Sequence, residues 1–338
     1  MPSIIRLCPR PFTSLPCHPA FDGEDNTVTR DSNETAQSRP DLRTFLHSAL
    51  LEAQTFLVTT IPRNFKVNGR ARWSPPSTAK VQLLTHTIRA EDQELDYPGR
   101  RQDEFWVCRR SVHLDAPVEG TASWNEFRRG LRENHSENEM EYTPSLTGVE
   151  RLMEWPIQDE IEGGWREVDM HVNMLTHTVQ PQALVSPRSF VSLIISALSP
   201  PSSPNTTESN SWVTIQIPLA HDPVDSIPES IRSRIASSAP KNTIFASYAS
   251  IERLVHLSPP RRGSSGSGGG TGDLTVSRTQ SQSRSKVEWT LATTSDAGGS
   301  VPQWVQRSWY FGGVPKAVVK DVGLFIGWTA QRRSSNPP

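Results

Sequence analysis

The sequence predicts an α+β fold in which an antiparallel sheet packs around one long C-terminal helix. Three observations carry this. From Val168, the residues Val168, Met170, Val172 and Met174 alternate with Asp169, His171 and Asn173, the period-two pattern of a half-buried antiparallel strand. Strand-sized apolar runs follow over 190–198, 212–219, 245–257 and 287–294. The chain then closes on a helical stripe of Val318, Val322, Phe325 and Trp328, widened by Val319 and Ile326. A sheet wrapped around that helix would leave an apolar interior between the two.

Taken in order, residues 1–40 are polar, interrupted by Pro and without a lasting period, and read as a disordered leader. A helix follows over 42–61, with Asp41 as its N-cap and Leu42, Leu46, Ala49, Leu50, Ala53 and Leu57 in one stripe. Residues 63–76 are basic and broken by Pro and Gly. Strands are predicted over 81–88 and 105–114, joined by a polar connection with a Pro98-Gly99 turn signal. Residues 123–134 read as a helix opened by a Ser123–Glu126 capping box, with Trp124, Phe127 and Leu131 as its stripe. The acidic stretch 133–141 around His135 reads as a charged loop after that helix, and 147–155 as another short helix. Segment 259–285, with GSSGSGGGTG at its centre, reads as flexible coil inserted between two strands. Pro315 suits the first turn of the last helix, and Arg332 and Arg333 suit its end. The predicted domain spans 41–330, and residues 331–338 read as a frayed tail.

Composition removes several classes of function. Lys plus Arg number 35 against 36 for Asp plus Glu, so the chain lacks the basic surplus of a nucleic-acid binder. The three cysteines have no CxxC spacing, which excludes a disulfide scaffold and a zinc knuckle. No apolar run approaches the ~18 residues of a membrane span. Arg6, Pro9, Arg10 and Pro11 break the start of the chain, so no signal peptide is expected and a cytoplasmic location is.

The sequence carries few chemical motifs. GxSxG, HExxH, GxxxxGK[ST] and GxGxxG are absent, and the Gly-rich stretch 263–272 lacks the Lys of a phosphate loop. No metal and no cofactor are expected. His171 and His177 share the polar face of one strand, where solvated or cross-strand roles suffice. Cys108 lies beside Arg109 and Arg110, which lower a thiol pKa, but it has no identifiable His partner and reads as a core thiol. Ser264, downstream of Arg261 and Arg262, and Ser281 are candidate phosphoacceptors in the insert.

The segment VEWTLATTSDAGGSVPQWVQRSW, followed by GGVPKAVVKDVGLFIGW, resembles the end of StAR-related lipid-transfer (START) domains. There a last strand carries an aromatic, then an Asp-x-Gly-Gly-x-x-Pro-x-Trp loop leads into the terminal helix; the matching residues are Trp289, Asp296, Gly298, Gly299, Pro302 and Trp304. Pro187 to Phe190 resembles the family's Arg-Asp-Phe element, with Ser189 in place of the acid. EFWVCRRSVH and SWNEFRRGLRENHSENEMEYTP resemble an uncharacterised START-like branch of filamentous fungi. The resemblance covers roughly 42–330 without the insert.

This resemblance implies a helix-grip fold with a tunnel between sheet and helix, lipid or sterol ligands, and no catalytic residues. The implied tunnel wall is Trp106, Met170, Val172, Met174, Phe190, Trp289 and Leu291 from strands, with Val318, Val322 and Phe325 from the helix; each also reads as plain core. Arg188 is the candidate buried polar anchor, or else a structural ion pair with Asp169 or Asp296. Asp296, Gly298, Gly299, Pro302 and Trp304 form the expected mouth loop, with Trp304 and Trp309 placed to rest at a membrane interface. An acyl chain gains about 0.8 kcal/mol per CH2 on leaving water but almost nothing on leaving a bilayer, so selectivity must come from polar contacts. The first expectation is therefore a module that binds an apolar small molecule, a lipid or sterol, with transient membrane contact. The second is an interaction protein whose fold is filled by its own side chains. The third is a helix-grip enzyme such as a cyclase or hydrolase; no nucleophile–base pair supports it.

Overall fold

The structure is a computed structural model, and it describes residues 3–21, 39–95, 97, 99–178, 185–200, 208–221, 227–259 and 284–335. Helix α1 (Leu42–Thr55) is capped by Asp41, whose carboxylate accepts from the Thr44 amide at 2.9 Å. It runs through a π-turn, Phe56–Thr60, into α2 (Ile61–Asn64). Strands β1 (Lys66–Val67), β2 (Gln82–Ile88) and β3 (Glu104–Leu114) follow. Then come α3 (Trp124–Leu131) with the expected capping box, α4 (His135–Tyr142), β4 (Leu146–Trp155), β5 (Arg166–His177), β6 (Arg188–Leu198) and β7 (Glu208–Pro218). Last are α5 (Glu229–Ser238), β8 (Ile244–Phe245), β9 (Ser247–Leu257), β10 (Lys286–Asp296), α6 (Gln303–Gln306) and α7 (Val314–Ser335).

The ten strands form one sheet in the order β1-β2-β3-β10-β9-β7-β6-β5-β4, antiparallel throughout that path; β8 adds a short parallel pairing to β6. Helix α7 crosses one face against β3 and β10, with α3 and α4 beside it. This is the expected helix-grip arrangement.

The two faces of the sheet are divided differently from the expectation. The alternating apolar residues Val168, Met170, Val172 and Met174 join Trp106 and Cys108 in a core with Phe45, Leu46, Ala49, Leu50 and Ala53 of α1. That core lies on the face opposite α7. A second apolar core on the α7 side joins Phe127, Leu131, Trp289, Val318, Val322 and Phe325. Strand β5 thus turns Asp169, His171 and Asn173 toward the enclosed side, where His171 and Asn173 are buried. The physical reason is that α1 and the start of the chain supply a cover of their own. A strand's apolar alternation specifies that one face is covered, not by which element.

Residues 3–21, expected within a disordered leader, are ordered against that first core. Ile5, Phe12, Leu15 and Phe21 are buried in it. Glu104 accepts from the Leu7 amide at 2.7 Å, Glu52 accepts from the Ile4 amide at 2.6 Å, and the Arg10 amide donates to Pro218 at 2.9 Å. These residues have no lasting period because their only regular elements are two single 3-10 turns, Phe12–Ser14 and Pro19–Phe21. Residues 22–38 lie outside the described residues. Residues 147–155 form strand β4 rather than a helix, because pairing with β5 governs them. The acidic stretch around His135 forms α4 rather than a loop. Asn138 holds it by donating to the carbonyls of Arg129 and Glu133 at the end of α3. Helix α5, not among the elements expected from the sequence, buries Ile231 and Ile235 one turn apart, continuing the spacing of four from Ile227. Helix α7 continues through Ser335, past the expected fraying point. The insert residues 260–283, with Ser264, Ser281 and the Gly-rich stretch, lie outside the described residues.

Candidate functional site: a charged chamber between the sheet and the terminal helix

Strand pairing places a row of side chains across the α7 face of the sheet. Arg109 pairs with Leu291, Leu291 with Glu252, Glu252 with Thr214, Thr214 with Ser196, and Ser196 with Asp169. Alternation puts all six on one face. The middle of this row, together with Gln216, Tyr248, Ser250 and Trp289, forms the floor of a cavity of about 50 Å3. Its roof is Leu131 of α3, His135, Glu139 and Tyr142 of α4, and Asp321 of α7. His135 and Glu139 line this chamber and are 16% and 28% exposed.

The chamber is polar and carries unequal charge, with three carboxylates against one guanidinium. Arg109 is 1% exposed. Its guanidinium stacks 3.8 Å from the Trp289 ring centroid, and its Nη2 donates to Glu252 Oε1 at 3.4 Å. Trp289 Nε1 donates to the same oxygen at 2.6 Å. Arg109 Nε and Nη1 and Thr214 Oγ1 have no hydrogen-bond partner. Among the described residues, no hydrogen bond reaches the carboxylate of Asp321, and that of Glu139 has only His135 Nε2 at 3.9 Å.

Electrostatics follow from the depth. Burial, with the Asp321 and Glu252 charges behind it, pushes the Glu139 carboxyl up to about 8. Burial raises Asp321 to about 6, against the opposing pull of Arg109. Burial lowers His135 and raises Tyr142 and Tyr248. Glu139 therefore holds its proton at neutral pH and can donate a hydrogen bond. The chamber offers donors from Arg109 and Glu139 and acceptors from Asp321.

Its size sets what fits. An engineered apolar cavity of about 150 Å3 holds one benzene, and one water needs about 10–15 Å3 on the same measure. A chamber of about 50 Å3 accepts a few waters or one compact polar group, not an acyl chain. The apolar half of the interior is filled: Phe127, Trp289 and Phe325 touch one another with centroids 5.1–5.6 Å apart.

Of the expected wall residues, Trp289 and Leu291 line the chamber. Trp106, Met170, Val172 and Met174 lie on the opposite face, under α1, and line nothing on this side. Phe190 is on the chamber side but packs between His177 and Tyr248. Val318, Val322 and Phe325 are core. Arg188 lies outside the chamber lining and, among the described residues, forms no ion pair; it donates to the carbonyls of Ser186 (2.5 Å) and Ala297 (3.4 Å) at the end of the sheet. Asp296 accepts from the Gly298 amide at 3.0 Å, Gly298 and Gly299 have φ of +63° and +61°, and Pro302 caps α6. None of these loop residues lines the chamber, and Trp304 points to solvent. Cys108 is buried under α1, and burial outweighs Arg109 and Arg110 to push its thiol up to about 12.

Arg109, Glu139, Glu252 and Asp321 were the residues missed. One signal existed for two of them. Arg109 shares strand parity with Phe105 and Val107, and Asp321 falls inside the apolar stripe between Val318 and Val322.

The family model described as "Protein of unknown function (DUF3074)" matches residues 106–329. The chain belongs to this family. The DUF3074 match spans β3 to α7 and so contains the whole chamber. No curated protein sequence matches the chain. Among solved structures it is similar to human STARD10, at 12% identity over 91% of this chain and 86% of that one, with a TM-score of 0.46. It is also similar to human StAR-related lipid transfer protein 5, at 11% identity over 86% of this chain and 97% of that one, with a TM-score of 0.49. Among the described residues, no three His, Cys, Asp or Glu side chains are placed to hold a metal ion, and no helix is long and apolar enough to cross a membrane.

Proposed function

We propose that this DUF3074 chain is a small-molecule-binding module, carrying a lipid-class ligand between membranes and seating its polar group among Arg109, Glu139, Glu252 and Asp321. The observation that supports the reading is Arg109, which faces the chamber with two nitrogens unpartnered. A buried polar group without a partner costs about 1–3 kcal/mol, more when charged. A ligand oxygen accepting from Arg109 removes that cost. A hydrocarbon tail contributes no discrimination against the bilayer it came from, so the chamber's polar contacts are where selectivity resides. The tail requires α4 or α7 to move off the sheet, since the apolar half of the interior is filled.

Native mass spectrometry of the purified chain, followed by organic extraction, tests this. The expected result is a stoichiometric ligand, with a thermal-shift response in the wild type that Arg109→Met abolishes. An empty protein that responds to no member of a lipid and sterol panel overturns the reading. It would then favour a self-filled interaction domain, which the packed Phe127, Trp289 and Phe325 support.

A further inference from the structure

Two segments far apart in sequence are each without an acid. Between Glu52 and Glu91 the chain carries Arg63, Lys66, Arg70, Arg72, Lys80 and Arg89; between Asp296 and Asp321 it carries Arg307, Lys316 and Lys320. Overall the chain has one more acid than base, so this is segregation of charge, not a basic protein.

The fold brings the two segments together. The Arg72 guanidinium stacks 3.7 Å from the Trp309 ring centroid. Ser74 Oγ accepts from the Gly323 amide at 2.9 Å, one turn from Lys320. Among the described residues, none of Arg63, Lys66, Arg70, Arg72, Lys80, Arg307, Lys316 and Lys320 forms a salt bridge. Of the acids bordering this band, Asp321 faces the chamber and Asp296 accepts from the Gly298 amide, while Asp103 lines a shallow pocket with Arg307 and the exposed Glu119 adjoins Gly120, whose carbonyl accepts from the Thr78 amide.

The same band holds large exposed aromatics. Trp304 is 62% exposed, Tyr310 91%, Phe311 66% and Trp73 60%. Trp304 and Phe311 touch at 5.3 Å between centroids, making one raised apolar group, and Lys80 sits 5.1 Å over Trp73. Exposed rings of this size mark an interaction site when they gather. Trp and Tyr rings with an apolar body and a polar edge, set with Phe311 among cations that form no salt bridge among the described residues, match the headgroup layer of an anionic bilayer.

We propose that Trp304, Tyr310, Phe311 and Trp73, with the cations around them, form a face that docks on anionic membrane surfaces. Charge complementarity selects the surface and the rings enter its interface. The proposal stands on the outer surface and does not depend on what the chamber binds.

The test is co-sedimentation of the full chain with vesicles of phosphatidylcholine alone, or with roughly 30% phosphatidylserine, at low and high salt. Binding is expected only with phosphatidylserine and is weakened by salt. Arg70→Glu with Lys80→Glu and Lys316→Glu is expected to lower affinity at least about tenfold. Trp304→Ala with Tyr310→Ala and Phe311→Ala is expected to weaken binding several-fold and to reduce quenching of tryptophan fluorescence by brominated lipid, leaving the part that Trp73 contributes. Should that triple variant fail to fold, Tyr310→Asp alone serves, because its ring is almost wholly exposed. Absence of binding, equal binding to both vesicles, or indifference to either set of substitutions overturns the proposal. So does tighter binding to RNA that the aromatic substitutions leave unchanged, which would make the face a nucleic-acid surface.

Discussion

Arg109 of β3 and Glu252 of β9 meet 3.4 Å apart across β10, both buried, with Leu291 the register partner of each. The pair supplies the charged floor of the chamber. Removing one member of a buried pair leaves the other uncompensated, at about 3–5 kcal/mol, whereas replacing both is far milder. Arg109→Met is thus expected to lower stability by about that amount. Adding Glu252→Gln, which keeps an acceptor for Trp289 Nε1, is expected to recover more than half. Urea denaturation of the two single variants and the double variant checks this.

Glu139 carries the chamber's pH dependence. Its folded pKa, about 8, lies above its unfolded value of about 4.5, so the folded state binds the extra proton. The stability this gives is full below about pH 4.5 and is lost as pH rises toward 8. Asp321, raised to about 6, acts in the same sense over a lower window. Glu139 alone should take roughly 2–4 kcal/mol from the ligand-free protein between pH 5 and 8, opposed below about pH 6.5 by His113 and His177, which burial lowers to about 4, so Glu139→Gln should shift the slope toward greater stability at high pH. Isothermal denaturation across the range measures it; an unchanged slope in the variant would count against the buried proton.

The core under α1 is structural. Met170→Ala should cost about 2–5 kcal/mol and Phe12→Ala about 3–5 kcal/mol in denaturation, with ligand response intact at temperatures where each variant is folded. A loss of ligand response in folded Met170→Ala would return that residue to the chamber wall.

Gly323 lets α7 lie against the 74–76 segment. A Cβ there would meet the Pro75 carbonyl oxygen, and Ser74 Oγ at 2.7 Å. Backbone cannot yield as a side chain does. Gly323→Ala should therefore destabilise by about 1–3 kcal/mol, although alanine favours a helix. Thermal melting decides the sign.

Thiol reactivity reports the burial directly. Cys17 is exposed, while Cys8 and Cys108 are buried and burial raises both their pKa values. One equivalent of thiol should react with an aromatic disulfide reagent in the native chain, and all three in urea.

Local pattern was enough for the class of the fold. Alternation in β5, the capping box of α3 and the stripe of α7 are written in neighbouring residues, and each formed the element it announced. The chamber depended on something no local pattern records: which of two helices covers which face of the sheet. With α1 and the start of the chain in the core on the apolar side of the sheet, the polar side of β5 turns inward, and Asn173 and His171 become interior residues. Glu139 reads as surface charge in an acidic stretch until Asn138 and Ser136 fasten α4 across the sheet. Arg109, Glu252 and Asp321 are themselves more than sixty residues apart in sequence, and only pairing through β10 and the docking of α7 bring them together. Periodicity is a property of a few adjacent residues, while a charged cavity is a property of the layers that enclose it.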